Sequence, residues 1–188
     1  MGNARLLRRL RRFAPYPLIG AALWWLRPVE ALGSDRADLV LDLLGLLLAF
    51  AGEGLRFWTW GANAVPGMFR IRTEGPYKLL RHPLYLGNFL IVCGMFVVFN
   101  NPWATLVGAT AFAALYAVVV RREEHQILAS SDLGPDYADY MRVHRNRFLP
   151  QMSHWSAALS PAHGFDWRLA AEKEDEAVLG ILLGWVAL

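Results

Sequence analysis

Three apolar blocks, Leu39–Trp60, Leu84–Phe99 and Trp103–Val120, constrain this chain more than any other feature. They are too long and too continuous for the helices of a soluble core, and they read as membrane helices. A further apolar run, Phe13–Leu26, has 14 residues, so it crosses a bilayer only with help from its flanks, or else lies tucked or interfacial. The composition agrees, with 55% hydrophobic and 19% charged residues among 188. The expected fold is therefore all-α: a polytopic membrane helix bundle of about four transmembrane helices, followed by cytoplasmic C-terminal helices. The length allows one domain over 1–188, with its motifs in about 45–150 and a loop and apolar tail in 151–188.

Charge placement sets the orientation. Arg5, Arg8, Arg9, Arg11 and Arg12 precede the first apolar run, and of 19 Lys and Arg only Arg27 and Arg36 fall clearly in segments on the opposite side. The positive-inside rule then puts the N-terminus in the cytoplasm, as expected for a bacterial inner membrane, and a membrane anchor explains the arginines better than nucleic-acid binding does. The sole cysteine, Cys93, lies in an apolar run, so no intramolecular disulfide can form. Trp24-Trp25-Leu26-Arg27-Pro28 lacks the small residues of a signal-peptide cleavage site. Glu53 and Arg56, three residues apart in the second run, can pair. The tail Ala177–Leu188 is too short to span and is expected to pack on the bundle or at the interface.

The polar residues concentrate where helices should begin and end. Proline suits the first turn of a helix, and it pushes its predecessor towards an extended conformation, so a helix should begin at about Pro83 with Arg81 and His82 at its mouth. The first-turn N–H groups and the positive dipole end then face that mouth. Tyr85 and Asn88, three apart, share a face. Asn100-Asn101-Pro102 is a tight turn, so the blocks on either side are antiparallel neighbours. The later block ends in Arg121-Arg122-Glu123-Glu124-His125, and this end must return to Arg81-His82. Residues 123–148 read as one or two soluble helices broken at Leu133-Gly134-Pro135, and Gln151–Phe165 as a loop.

Carboxylates at Glu123 and Glu124, donors at Arg81 and His82, and the rings of Tyr77 and Tyr85 suit a zwitterionic ligand that carries an ammonium, a carboxylate and a further cation. S-adenosylmethionine is such a ligand. Metal binding is disfavoured, because the five histidines do not pair at ligand spacing, and no nucleophile elbow supports a serine hydrolase.

Gly75-Pro-Tyr77, Arg81-His-Pro-Leu-Tyr85-Leu-Gly87, Asn101-Pro102, Glu123-Glu124, Gly134 to Tyr140 and Arg147-Phe-Leu-Pro150 together resemble the isoprenylcysteine carboxyl methyltransferase and phospholipid methyltransferase superfamily of integral-membrane enzymes. The resemblance implies S-adenosylmethionine as cofactor, a lipophilic or lipid methyl acceptor entering from the bilayer, and no nucleic-acid partner. It implies that the backbone of Arg70, Ile71 and Arg72 and the side chain of Tyr77 meet the adenosyl part. His82, Pro83, Leu84 and Tyr85 form the floor, and Glu123, with Glu124 beside it, takes the amino group. Arg81, His82 and Tyr85 are the candidate catalytic groups. The chain departs from the family at Val119, where prenylcysteine methyltransferases carry a substrate-binding arginine, and this speaks against a prenylcysteine carboxylate as acceptor. Methylation of a phospholipid amine, or a non-catalytic membrane binding module, are the alternatives.

Overall fold

A computed structural model describes residues 35–63, 71–160 and 164–174. The N-terminal arginines, the run 13–26, Arg70 and the tail 177–188 lie outside the described residues. Within them the chain is helical and contains no strand. Helix α1 is Asp35–Ala62, α2 is Pro83–Val98, α3 is Pro102–Leu128, α4 is Gly134–Val143 and α5 is Trp155–Leu159. A last helix, α6, covers 167–174. Among the described residues, α3 is the helix long and apolar enough to cross a membrane by length and composition, whereas α2 is apolar but has 16 residues. Large apolar side chains face outward on α1 and α3, among them Leu47, Trp103 and Val107, each at least 66% exposed.

The helix ends follow local chemistry. Pro83 opens α2, and His82 before it has φ −130° and ψ 61°, outside the helical region. The turn at Asn100 takes φ 53°, a left-handed geometry that asparagine tolerates. Asn101 then caps α3, its side-chain oxygen accepting from the amides of Trp103 and Ala104 at 3.1 Å. Three expectations need correction. The helix of the last apolar block does not stop at Val120: it continues through the charged run to Leu128, because that run contains no helix breaker and its residues have good helix propensity. Gly134-Pro135 starts α4 instead of only separating segments, since proline fits a first turn. The segment expected as a loop after Gln151 holds a 3₁₀ turn, Met152–His154, and then α5.

Helices α1 and α2 pack closely along a glycine seam. A Cβ on Gly45 would sit 2.6 Å from the Gly94 carbonyl oxygen, and one on Gly52 would sit 2.5 Å from that of Gly87, so only glycine permits this approach. The segment 79–82 is stitched to 146–151 by backbone bonds: Arg81 N–H to Asn146 O at 3.0 Å, His82 N–H to Arg147 O at 3.2 Å, and Gln151 N–H to Leu79 O at 2.8 Å. Leu79, Leu80 and Ala158 are buried beneath this seam with Trp58 and Leu86 against them. The C-terminal segment returns to α1, where the Asp166 N–H bonds Gly61 O at 2.9 Å and the Phe165 and Trp167 rings lie 6.0 Å from Phe57.

Candidate functional site

The antiparallel return of α3 brings its Glu pair to the start of α2, and the two carboxylates take different places. Glu124 is 3% exposed. Its Oε1 lies 3.0 Å from His82 Nε2 and 3.3 Å from Arg81 Nη2, and its Oε2 lies 2.9 Å from Arg147 Nη2. This one buried carboxylate therefore joins α3, the mouth of α2 and the segment after α4, and the cations around it offset the cost of its burial. A solvent-facing Glu124 is excluded. With Glu124 as acceptor, His82 donates from Nε2. Burial lowers the His82 pKa below the usual histidine value, and the neighbouring Glu124 works in the opposite direction.

Glu123 instead faces a cavity of about 470 Å³, within the range of small-molecule sites. The loop before α2 contributes Ile71, Arg72 and Tyr77 to its wall, and the start of α2 contributes Arg81, His82, Leu84 and Tyr85. These sequence-selected residues are thus brought together, whereas Pro83 is fully buried and Glu124 lies behind the wall. The loop is held to α1 by Asn63, whose side-chain amide donates to Glu74 O at 2.9 Å and whose oxygen accepts from Glu74 N–H at 3.2 Å. Tyr140 O–H donates to Tyr77 O at 2.7 Å, so α4 clamps the same loop from the other side. The Arg72 guanidinium lies 4.4 Å from the Trp60 ring centroid, a cation–π geometry. Tyr85 O–H donates to Glu123 Oε2 at 2.7 Å, which fixes the carboxylate on the wall.

Burial, with Glu124 nearby, pushes the Tyr137 hydroxyl up to about 12, and burial raises Tyr77 and Tyr140 as well. These phenols keep their protons at neutral pH, so they can donate hydrogen bonds and offer ring faces.

Sequence reasoning missed part of the wall. Arg56 and Trp60 come from the end of α1, Asn88 from α2, and Tyr137 and Tyr140 from α4. The three-residue spacings Tyr85/Asn88 and Tyr137/Tyr140 were the available signals. For Arg56, the pairing with Glu53 is present at 3.7 Å, but its closer partner is Glu174 on α6. Arg56 also donates to Asn88, whose amide donates to the Tyr116 hydroxyl at 2.9 Å. A second cavity of about 260 Å³ adjoins the first through Tyr85 and is lined by apolar side chains including Leu86, Phe89, Phe148 and Leu149. Among the described residues, no group of three or more His, Cys, Asp or Glu is placed to hold a metal ion.

A polar, carboxylate-bearing cavity thus lies at the ends of two apolar helices. Residues 41–130, which contain α2, α3 and most of α1, match the phospholipid methyltransferase family, itself part of the isoprenylcysteine carboxyl methyltransferase-like superfamily. The resemblance read from Arg81–Gly87 and the Glu pair is thereby borne out. Among curated proteins, the chain is similar to the cobalt-zinc-cadmium resistance protein CzcN of Cupriavidus metallidurans, with 34% identity over 72% of this chain and 57% of that protein. It is also similar to the nickel-cobalt-cadmium resistance protein NccN of Alcaligenes xylosoxydans xylosoxydans, with 33% identity over 62% of this chain and 52% of that protein. The chain thus spans little more than half the length of these relatives. No solved structure matches it.

Proposed function

We propose that this chain is an integral-membrane methyltransferase that uses S-adenosylmethionine and methylates a lipophilic acceptor drawn from the bilayer. In this reading it has about four spans in a bacterial inner membrane, with the N-terminus and the site in the cytoplasm. The observation that carries the reading is the wall of the larger cavity. There, within the family-matched stretch, a carboxylate held by Tyr85 lines the same cavity as Arg72 and Tyr77.

The residues present fit the cofactor. Glu123 takes the ammonium by a charge-assisted bond, Arg72 provides a cation for the carboxylate, and Tyr77 and Trp60 offer ring faces to the base and the cationic sulfur. Bound S-adenosylmethionine supplies an electrophilic methyl group whose leaving group is a neutral thioether. The chain's own contribution is then alignment and exclusion of water, which can be worth on the order of 7–11 kcal/mol of the barrier. His82 and Arg81 act through Glu124 by holding the mouth of α2, and Tyr85 stands between the two cavities. The apolar cavity beyond Tyr85 suits the tail of the acceptor.

A carboxylate acceptor is disfavoured. Val119 is half-buried and carries no charge, and Arg56, one of the guanidiniums on the wall, is already engaged by carboxylates. The two carboxylates around Arg56 favour, as a second reading, an amine-bearing phospholipid as acceptor. Purified protein incubated with methyl-labelled S-adenosylmethionine and membrane lipids should move label into the organic phase, and Glu123→Gln should abolish most of that transfer. Absence of label from every lipid fraction, for protein that binds the cofactor, would leave a binding module as the better description.

A further inference from the structure

Helix α6 lies beyond the family-matched stretch, yet it reaches the cavity wall through one side chain. Glu174 is 1% exposed. Its carboxylate grips Arg56 in a fork: Nε to Oε2 at 3.0 Å, Nη2 to Oε1 at 2.9 Å and Nη2 to Oε2 at 2.7 Å. Asn88 takes a bond from Nη1, and Glu53 lies 3.7 Å from Nε. Arg56 therefore faces the cavity with most of its donors used and with two carboxylates around its single positive charge. The placement of Glu174 is built, not incidental. Asp166 caps α6, its side chain accepting from Leu169 N–H at 2.9 Å, and Ala170 is 0% exposed against the bundle. The Phe165 ring occupies the space that any Cβ at Gly61 would need.

We propose that Glu174 is a specificity-determining residue: by neutralising Arg56 at the cavity wall, α6 closes the site to anionic acceptors and leaves it open to neutral or cationic ones. This rests on the reading of the cavity as the place where the acceptor's head group lies. Without Glu174, Arg56 would keep only the Glu53 carboxylate, 3.7 Å from Nε and beyond hydrogen-bond distance, and its emptied fork would be open to a carboxylate or phosphate in the same geometry. With Glu174 in place, and with Arg72 given to the cofactor's carboxylate and Arg81 to Glu124, a carboxylate entering at Arg56 meets a cation that is already balanced, and it loses its hydration without gaining a partner. Because α6 is separate from the family-matched helices, it can tune the acceptor without altering the rest of the wall.

The test uses the full chain in detergent, with brominated stearic acid and the corresponding neutral alcohol as probes. Their bromines quench Trp60, which lines the cavity, and a Trp60→Phe protein defines the background from the other tryptophans. Wild type should bind the alcohol better than the acid. Glu174→Gln, which keeps shape and hydrogen bonding, should gain about tenfold or more for the acid, a difference of about 1.4 kcal/mol, with its alcohol affinity unchanged. The gain should vanish in Glu174→Gln/Arg56→Met. An acid affinity that stays at the wild-type value in Glu174→Gln, or a gain that survives removal of Arg56, would overturn the proposal. So would loss of both probes in Glu174→Gln with recovery in Glu174→Asp, because that pattern marks a brace for the fold. Methyl transfer that is intact in wild type without discrimination between probes would count against this proposal alone. Discrimination without methyl transfer would count against the methyltransferase reading alone.

Discussion

Replacing Glu124 by glutamine should damage the fold, whereas the same change at its neighbour Glu123 should damage ligand binding. Glu124 balances Arg81, whose side chain is 6% exposed, and Arg147, which is 41% exposed. With the carboxylate gone, the partly solvated Arg147 loses an interaction of at most about 1 kcal/mol. The Arg81 guanidinium is left as an uncompensated buried charge, its Nε already without a partner. Removing one member of a buried pair costs about 3–5 kcal/mol. The glutamine oxygen can still accept from His82, so a loss near the lower end, about 3 kcal/mol, is expected. At about 2–4 °C per kcal/mol for a chain of this size, the melting midpoint should fall by roughly 6–12 °C. Glu123→Gln loses only the charge in its bond with Tyr85, about 0.5–1.5 kcal/mol. It should, however, weaken S-adenosylmethionine binding by about 1.5–3 kcal/mol, the value of a hydrogen bond to a charged group. Thermal unfolding in a mild detergent, followed by tryptophan fluorescence, and calorimetry of the cofactor measure the two effects. A Glu124→Gln protein that melts with wild type, or a Glu123→Gln protein that is the less stable of the two, would refute the assignment of hub and ligand roles.

The pH dependence of stability follows from two histidines lowered by burial, His82 and His144, the latter also by His154 beside it. Each binds its proton more readily when unfolded, so stability should be full above the ordinary histidine value near 6.5 and fall as pH drops below it, flattening once the folded groups also protonate; melting curves between pH 8 and 5 should show this, and His144→Gln should shallow the slope. Gly52→Ala should cost about 1–3 kcal/mol by forcing α1 from α2, whereas Gly54→Ala, with open space at its Cβ, should be neutral or slightly stabilising, so equal melting points would contradict the glycine seam. In a Cys93→Ala background, a cysteine at Trp103 should react with an impermeant thiol reagent applied to right-side-out vesicles and one at Asp132 should not. The reverse labelling would invert the proposed orientation.

Local chemistry was enough to place the ends of several elements. Pro83 starts α2 because its ring fits a first turn, and Asn101-Pro102 caps and starts α3 for the same kind of reason. The short connection between the two apolar blocks forces them antiparallel, and this alone predicts that the Glu pair meets Arg81-His82, as it does. These conclusions need only steric preferences and chain connectivity, which act over a few residues and are written in the order of the residues. What the order of residues does not contain is the angular position of adjacent side chains against partners distant in the chain. Glu123 and Glu124 are equivalent on paper; the tertiary packing turns one into the cavity and buries the other against Arg81, His82 and Arg147. Tyr137, Tyr140 and Trp60 enter the wall because α4 and the end of α1 close over the same space. The partner of Arg56 shows the limit most clearly. Glu53, three residues away, is the partner that helix geometry offers, but Glu174, 118 residues away, holds the guanidinium at 2.7 Å. A contact across that separation depends on how a distant helix folds back and on the burial that makes a forked ion pair worth forming, and those are properties of the assembled bundle.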